Sequence, residues 1–173
     1  TYEPQSGTWR TLGEPLTMGK YSNIVYALAA LSHPDGAQTL YIGGQFTGSG
    51  TTTLNNLARW NGAAWAPVGQ GVLDVVYCLA SAPVPNAPPD LLVGGRFSSS
   101  TTGAANVARW NGSSWSAFGS SISGSVYAVA SLSNGQFTAG GNFEKYGDTI
   151  CNNIVGSNGS EWSSFGLGVY SNF

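Results

Sequence analysis

Charge is what this chain has least of. Lys, Arg, Asp and Glu make up 8% of its 173 residues and the net charge is −2, where soluble proteins carry about 25% charged residues. Six Lys and Arg in all leave no basic patch for nucleic acid. Histidine occurs once, as His33, within the turn sequence "SHPDG". A Ser/His/Asp triad would have to use it, and no GxSxG accompanies it. Cysteine occurs twice, as Cys78 and Cys151, too few for a disulfide framework. We expect Cys78 to be a small buried thiol, Cys151 to lie in a loop, and the two not to be bridged. Neither zinc-ligand spacing nor a DxDxDG calcium loop occurs. The Gly-Gly pairs lead into no helix, so they are not phosphate loops. Glu144, Asp148 and Glu161 could pair for glycoside hydrolysis, but no other part of the chain repeats them, and solvated loop charges are the simpler reading. The sequence therefore points away from catalysis and calls for no cofactor or metal. Apolar runs of about 18 residues are missing, so no membrane insertion is expected. The opening "TYEPQSGTW" has no charged-then-apolar leader and reads as a mature or trimmed terminus.

What the chain does have is repetition, glycine and tryptophan. "NLARWNGAAWAPVG" from Asn56 returns as "NVARWNGSSWSAFG" from Asn106, and in worn form as "NIVGSNG" from Asn153. Trp9, Trp65, Trp115 and Trp162 open the same short phrase, at spacings of 56, 50 and 47 residues. "VYALA", "VYCLA" and "VYAVA" begin at Val25, Val76 and Val126. "LYIGGQF", "LLVGGRF" and "QFTAGGNF" begin at Leu40, Leu91 and Gln136. Each phrase is four to seven residues rich in β-branched and aromatic types and bounded by Gly, Pro, Asn or Ser, the signature of a short strand. No apolar 3.6-residue period persists beyond about two turns, so no helix is expected.

Within a period the order is VYxLA, xxGGxF, NxARWNG and WxxxG. A Ser/Thr/Gly-rich loop separates the second phrase from the third. Asn61-Gly62, Asn111-Gly112 and Asn158-Gly159 join the third to the fourth, and both residue types tolerate the positive φ of a type I′ hairpin. Four antiparallel strands every 40 to 50 residues is the period of a propeller blade. The expected fold is all-β: a propeller-type array of three four-stranded blades at about 24–69, 74–119 and 125–166, forming an incomplete ring. An orphan strand at 7–13 and a remnant at 167–173 flank it within one repeat domain, 1–173. The structural repeat positions are Trp9, Gly43, Gly44, Trp60, Trp65, Gly94, Gly95, Trp110, Trp115, Gly140, Gly141 and Trp162. The glycine pairs would let a neighbouring sheet or strand approach. Trp60 and Trp110 would fill the space between blades, and Ser157 replaces this Trp in the third copy.

The composite of GGxF, a Ser/Thr/Gly loop and N-[LVI]-A-R-W-N-G-x-x-W-x-x-[VF]-G resembles the propeller repeats of extracellular surface proteins. These include Rax2-like fungal cell-polarity proteins and bacterial secreted repeat proteins. The resemblance covers roughly residues 40 to 166 and is specific to the repeat type. That family usually has Asp before the turn glycine where all three copies here have Asn, and the third copy lacks Ala-Arg-Trp. The resemblance implies an extracellular, non-catalytic scaffold.

Three blades fall short of the 4–8 that close a ring. Either a longer array or association of copies, as ring or filament, would cover the end faces. The leading expectation is a non-catalytic extracellular or cell-surface structural or adhesion module that self-associates, as a homo-oligomer ring or a filament, or binds a partner through its open blade edges. A carbohydrate-binding propeller, with sugars stacked on the recurrent tryptophans, is the alternative. Asn111 and Asn158 fit the N-glycosylation acceptor pattern, although Asn-Gly suits the turn without it.

Overall fold

The structure, a computed structural model, describes residues 2–17, 23–98, 103, 105–117, 119–132, 135–158, 161–166 and 168–169. Among them the chain is all β, without a helix. Strands β1 (Tyr2–Glu3) and β2 (Thr8–Trp9) form a small antiparallel pair, and β3 (Leu16–Thr17) follows. Sheet one holds β4 (Ile24–Ser32) and β5 (Gln38–Gln45), then β8 (Leu57–Trp60) and β9 (Trp65–Pro67). The short β6 (Gly48–Ser49) and β7 (Thr52–Thr53) lie between those pairs and join β3 in a three-stranded sheet. Sheet two holds β10 (Val75–Val84), β11 (Ala87–Arg96), β12 (Val107–Trp110) and β13 (Trp115–Ala117). Sheet three holds β14 (Ile122–Ser131), β15 (Phe137–Tyr146), β17 (Ile154–Ser157) and β18 (Trp162–Ser164), with β16 (Thr149–Ile150) folded back on β15. The result is four antiparallel sheets of three to five strands, none closed on itself, beside the β1–β2 pair.

The repeated letters produce repeated register. Val25 faces Gly44 and Ala27 faces Gly43; Val76 faces Gly95 and Cys78 faces Gly94; Val126 faces Gly141 and Ala128 faces Gly140. One extra residue sits between the members of each couple, so Tyr26, Tyr77 and Tyr127 occupy β-bulges. The second glycine of each pair makes the bulge tolerable. A Cβ on Gly44, Gly95 or Gly141 would strike the carbonyl of Ile24, Val75 or Ser125 in the strand alongside.

Core residues lie between neighbouring layers. One cluster joins Leu31, Tyr41 and Leu57 of sheet one to Val76, Leu91, Val93 and Trp110 of sheet two. Another joins Ala82, Leu92 and Val107 of sheet two to Val126, Phe137, Ala139 and Phe143 of sheet three. A third places Leu12 and Leu16 against Ile42, Phe46, Ala58 and Trp65 of sheet one.

The first Asn of NxARWNG fastens each sheet to the segment after its fourth strand. Asn56, Asn106 and Asn153 have φ of 66°, 70° and 71°, a region Asn tolerates better than most residues. Their carbonyls accept from the N–H of Gly44, Gly95 and Gly141. Their Oδ1 atoms accept from the N–H of Phe46, Phe97 and Phe143 at 3.1, 3.0 and 3.3 Å. Their Nδ2 atoms donate to the carbonyls of Val72, Ile122 and Val169 at 2.9, 2.7 and 3.1 Å. Asn106→Ala loses both side-chain bonds and the tolerance of positive φ, so urea melts should show about 3 kcal/mol of lost stability. Asn106→Gly keeps the backbone conformation and should lose only about half as much.

Three expectations are corrected. The Asn61-Gly62 and Asn111-Gly112 turns are not two-residue type I′ turns. Trp60 pairs with Trp65 and Trp110 with Trp115, so each loop has four residues, and only its glycine has positive φ. The Asn side chain does the turning instead: Asn61 Oδ1 accepts from the N–H of Ala63 and Ala64, and Asn111 Oδ1 from those of Ser113 and Ser114. At Asn158 the same oxygen accepts from Glu161 N–H, while Gly159 and Ser160 lie outside the described residues. Trp9 does not share the packed position of the other phrase-opening tryptophans. It stands in β2, 80% exposed, because its strand pairs with β1 and not with a large sheet. The loop after the glycine pair is not wholly irregular, since it folds into β6–β7 in sheet one and β16 in sheet three. Of the C-terminal remnant, only Gly168 and Val169 are among the described residues.

Candidate functional site

Consecutive sheets meet through one recurring contact. A Cβ on Gly43 would stand 3.0 Å from Val76 Cβ and 3.4 Å from Leu79 Cδ1. A Cβ on Gly94 would stand 2.9 Å from Val126 Cγ1 and 3.0 Å from Val129 Cγ1. The first glycine of the pair thus receives two branched side chains from the first strand of the next sheet. The small residues Ala27 and Ala29, or Cys78 and Ala80, share its face, since their register alternates with the outward set.

The two ends of the stack carry the halves of this contact unmatched. Val25 and Leu28 hold the positions of Val76 and Leu79 but are 40% and 66% exposed, against 0% for Val76. At the other end, a Cβ on Gly140 would meet nothing closer than the Asn153 carbonyl at 3.8 Å, and Ala128 and Ala130 beside it are exposed. One end therefore presents branched aliphatic knobs and the other a flat surface of small side chains.

The bulge tyrosines form a column across the three sheets. Tyr26 and Tyr77 meet edge to face with ring centroids 5.5 Å apart, and Tyr77 and Tyr127 do so at 5.2 Å. Such pairs add about 0.5–1.5 kcal/mol each beyond area burial. Arg96, beside this column, is paired with Asp74 at 3.3 Å, and that hydrogen bond keeps its guanidinium even more firmly charged. Asp90, itself buried, is bonded to Arg109 in the next strand.

The indoles of the three large sheets pack within and between them. Trp65, Trp110 and Trp162 are buried, and Trp60–Trp65 and Trp110–Trp115 are ring pairs with centroids 5.2 Å apart. A glycine from the preceding segment lies against each group: Gly13 on Trp60, Gly69 on Trp110 and Trp115, Gly119 on Trp162. The Trp65 N–H also donates to the Leu12 carbonyl at 2.9 Å. Trp60 and Trp115 are half-buried, and Trp9 alone of the phrase-opening tryptophans stands exposed.

Both cysteines are free thiols. Burial pushes the Cys78 thiol up to about 12 and raises that of Cys151 as well, so neither is a thiolate nucleophile at neutral pH. His33 bonds Thr39 Oγ1 at 2.9 Å and closes a turn through the Ala37 carbonyl. Among the described residues no group of three His, Cys, Asp or Glu side chains is placed to hold a metal ion.

Sequence reading missed Val25, Leu28 and Ala130 as site residues, and the tyrosines with them. The available signal was the constant spacing within VYxLA: an exposed end copy keeps the apolar letters of buried inner copies. Comparison with protein-family models, with curated proteins and with solved structures finds no match to this chain.

Proposed function

We propose that the three sheets are blades of a propeller-type array whose ring this chain leaves open, and that the protein is a non-catalytic structural or adhesion module. On this reading it associates through its two unlike end faces, in the extracellular space or at a cell surface. The carrying observation is the unmatched contact: Gly43 and Gly94 are covered by a following sheet, Gly140 is not, and Val25 and Leu28 stand exposed. An apolar face of several hundred Å² is rare on a monomer and marks an association surface. At about 25 cal/mol per Å², covering it releases many kcal/mol before association costs are subtracted. Because the faces differ, the contact is heterologous, which yields either a closed ring or a filament. The scarcity of charge, with Ser, Thr and Gly forming the polar surface, supports the extracellular setting. Sedimentation velocity over a wide concentration range, with negative-stain images, tests the reading. Concentration-dependent rings or fibres are expected; a solitary species at every concentration overturns it.

A further inference from the structure

Resting on that reading, we infer that the partner is a second copy of this chain in one defined register. Val25 and Leu28 of one copy lie over Gly140, Ala128 and Ala130 of the other, and Phe165, Gly166 and Val169 of that other copy yield their place to the neighbour's Leu12, Gly13 and Leu16. The first half rests on the contact the molecule makes twice within itself. Val76 and Leu79 cover Gly43, and Val126 and Val129 cover Gly94. The same letters in the same register, Val25 and Leu28 in β4 and Gly140 in β15, are left over at opposite ends. A second copy carries each half.

The second half rests on a spacing shared by four different stretches. After the fourth strand of sheet one, Val68 and Gly69 lead to Val72, and all three join the packing of sheet two. After sheet two, Gly119 and Ile122 do the same for sheet three. After sheet three come Phe165, Gly166 and Val169 at the same spacing, but a Cβ on Gly166 would meet nothing within 4 Å. In front of sheet one the place is already filled by Leu12, Gly13 and Leu16, again at the same spacing, with Gly13 against Trp60. A docked copy would bring two claimants to the Trp60–Trp65 pair.

The anchoring decides which one stays. Leu12 accepts from the Trp65 indole, Glu14 from Ser49 Oγ at 2.8 Å and Leu16 from Asn23 Nδ2 at 2.7 Å, and β3 pairs with β6. On the other stretch, Phe165 rests on Gly156 yet is 53% exposed, and Val169 is held by Asn152 and Asn153. The segment ahead of sheet one is thus a built-in cover that stays, and the stretch after sheet three gives way.

Cysteine trapping tests the register. Cys78→Ala and Cys151→Ala remove the native thiols, and Ala already stands at the position of Cys78 in the other two sheets. V25C is then made in one preparation and G140C in another; at the internal counterpart, Gly43 with Val76, the Cβ positions would be 3.0 Å apart, so the faces need part only by about half an ångström to seat a disulfide. Mild oxidation of the mixture should give a reducible covalent dimer in large excess over either variant alone. Dimer from V25C alone, as abundant as from the mixture, overturns the register in favour of a symmetric contact. A parent chain that associates while the mixture gives no dimer overturns the register and leaves the proposed function standing. A parent chain that never associates removes both. Hydrogen exchange on association completes the test: the Val169 N–H, now bonded to the Asn152 carbonyl, should lose protection. Loss of protection around Leu16 instead would reverse the assignment of which segment moves.

Discussion

Gly94→Val should lower the melting temperature by roughly 10 °C, while Gly140→Val should leave it nearly unchanged. The two glycines hold the same place in the repeat and the same register, facing Cys78 and Ala128 respectively. They differ in what lies beyond them and in the partner itself, since a Cβ on Gly94 would also stand 2.5 Å from Cys78 Sγ, so the comparison is made in the Cys78→Ala background. A valine at 94 would drive its branches into Val126 and Val129, which sit in a packed core that cannot draw back. Overpacking of this kind destabilises by about 3 kcal/mol. A valine at 140 would enter open space, and a β-branched side chain suits a strand. The neighbouring residue supplies the control. Gly141→Val should fail as badly as Gly95→Val, because both would meet a carbonyl of their own sheet whether or not another sheet comes after. Calorimetry of the four variants separates the cause of each glycine. Equal losses at 94 and 140 would mean that sheet stacking is not what requires the first glycine of the pair.

Leu28→Asp should leave the fold intact and weaken self-association by about two orders of magnitude. Leu28 is 66% exposed in the single chain, and surface changes of this kind usually shift stability by less than about 0.5 kcal/mol. In the proposed contact the same carboxylate would be buried against Ala128, Ala130 and Gly140 with no cation to meet it. An unpaired charge at such a place costs about 3 kcal/mol of binding, which is roughly a hundredfold in Kd. Leu79→Asp, at the internal counterpart, should unfold the chain rather than dissociate it, since Leu79 is packed against the core shared by sheets one and two. Sedimentation equilibrium alongside thermal melts distinguishes the two effects. Unchanged association of the Leu28→Asp chain would remove β4 from the contact.

The strand phrases were legible because each is short, β-branched and bounded by turn residues, and because each came three times. The glycine pairs were legible as sites of close approach, but their division of labour was not. Sequence cannot say that Gly43 and Gly94 face another sheet while Gly44 and Gly95 face a bulge, since one extra tyrosine in the opposing strand sets that geometry. The turn type at Asn61 was misjudged because Asn before Gly suits two devices, positive φ or a side-chain acceptor, and here the acceptor is used. The fastening role of Asn56, Asn106 and Asn153 was hidden because an Asn at the end of a polar loop looks like any other turn residue. Trp9 misled because its phrase copies the letters of a fourth strand without the sheet that would bury it. The part of that phrase that does pack, Leu12 and Gly13, is the least conspicuous in letters.

The asparagine fastening spans the same interval each time, sixteen residues from Asn56 to Val72, from Asn106 to Ile122 and from Asn153 to Val169. A tandem duplication that copied one whole period of about fifty residues would therefore carry buckle and strap together. The added unit would hold its neighbour at once, with no new contact to be invented, so a gene of this kind can gain or lose a sheet in one step and still encode a chain that folds.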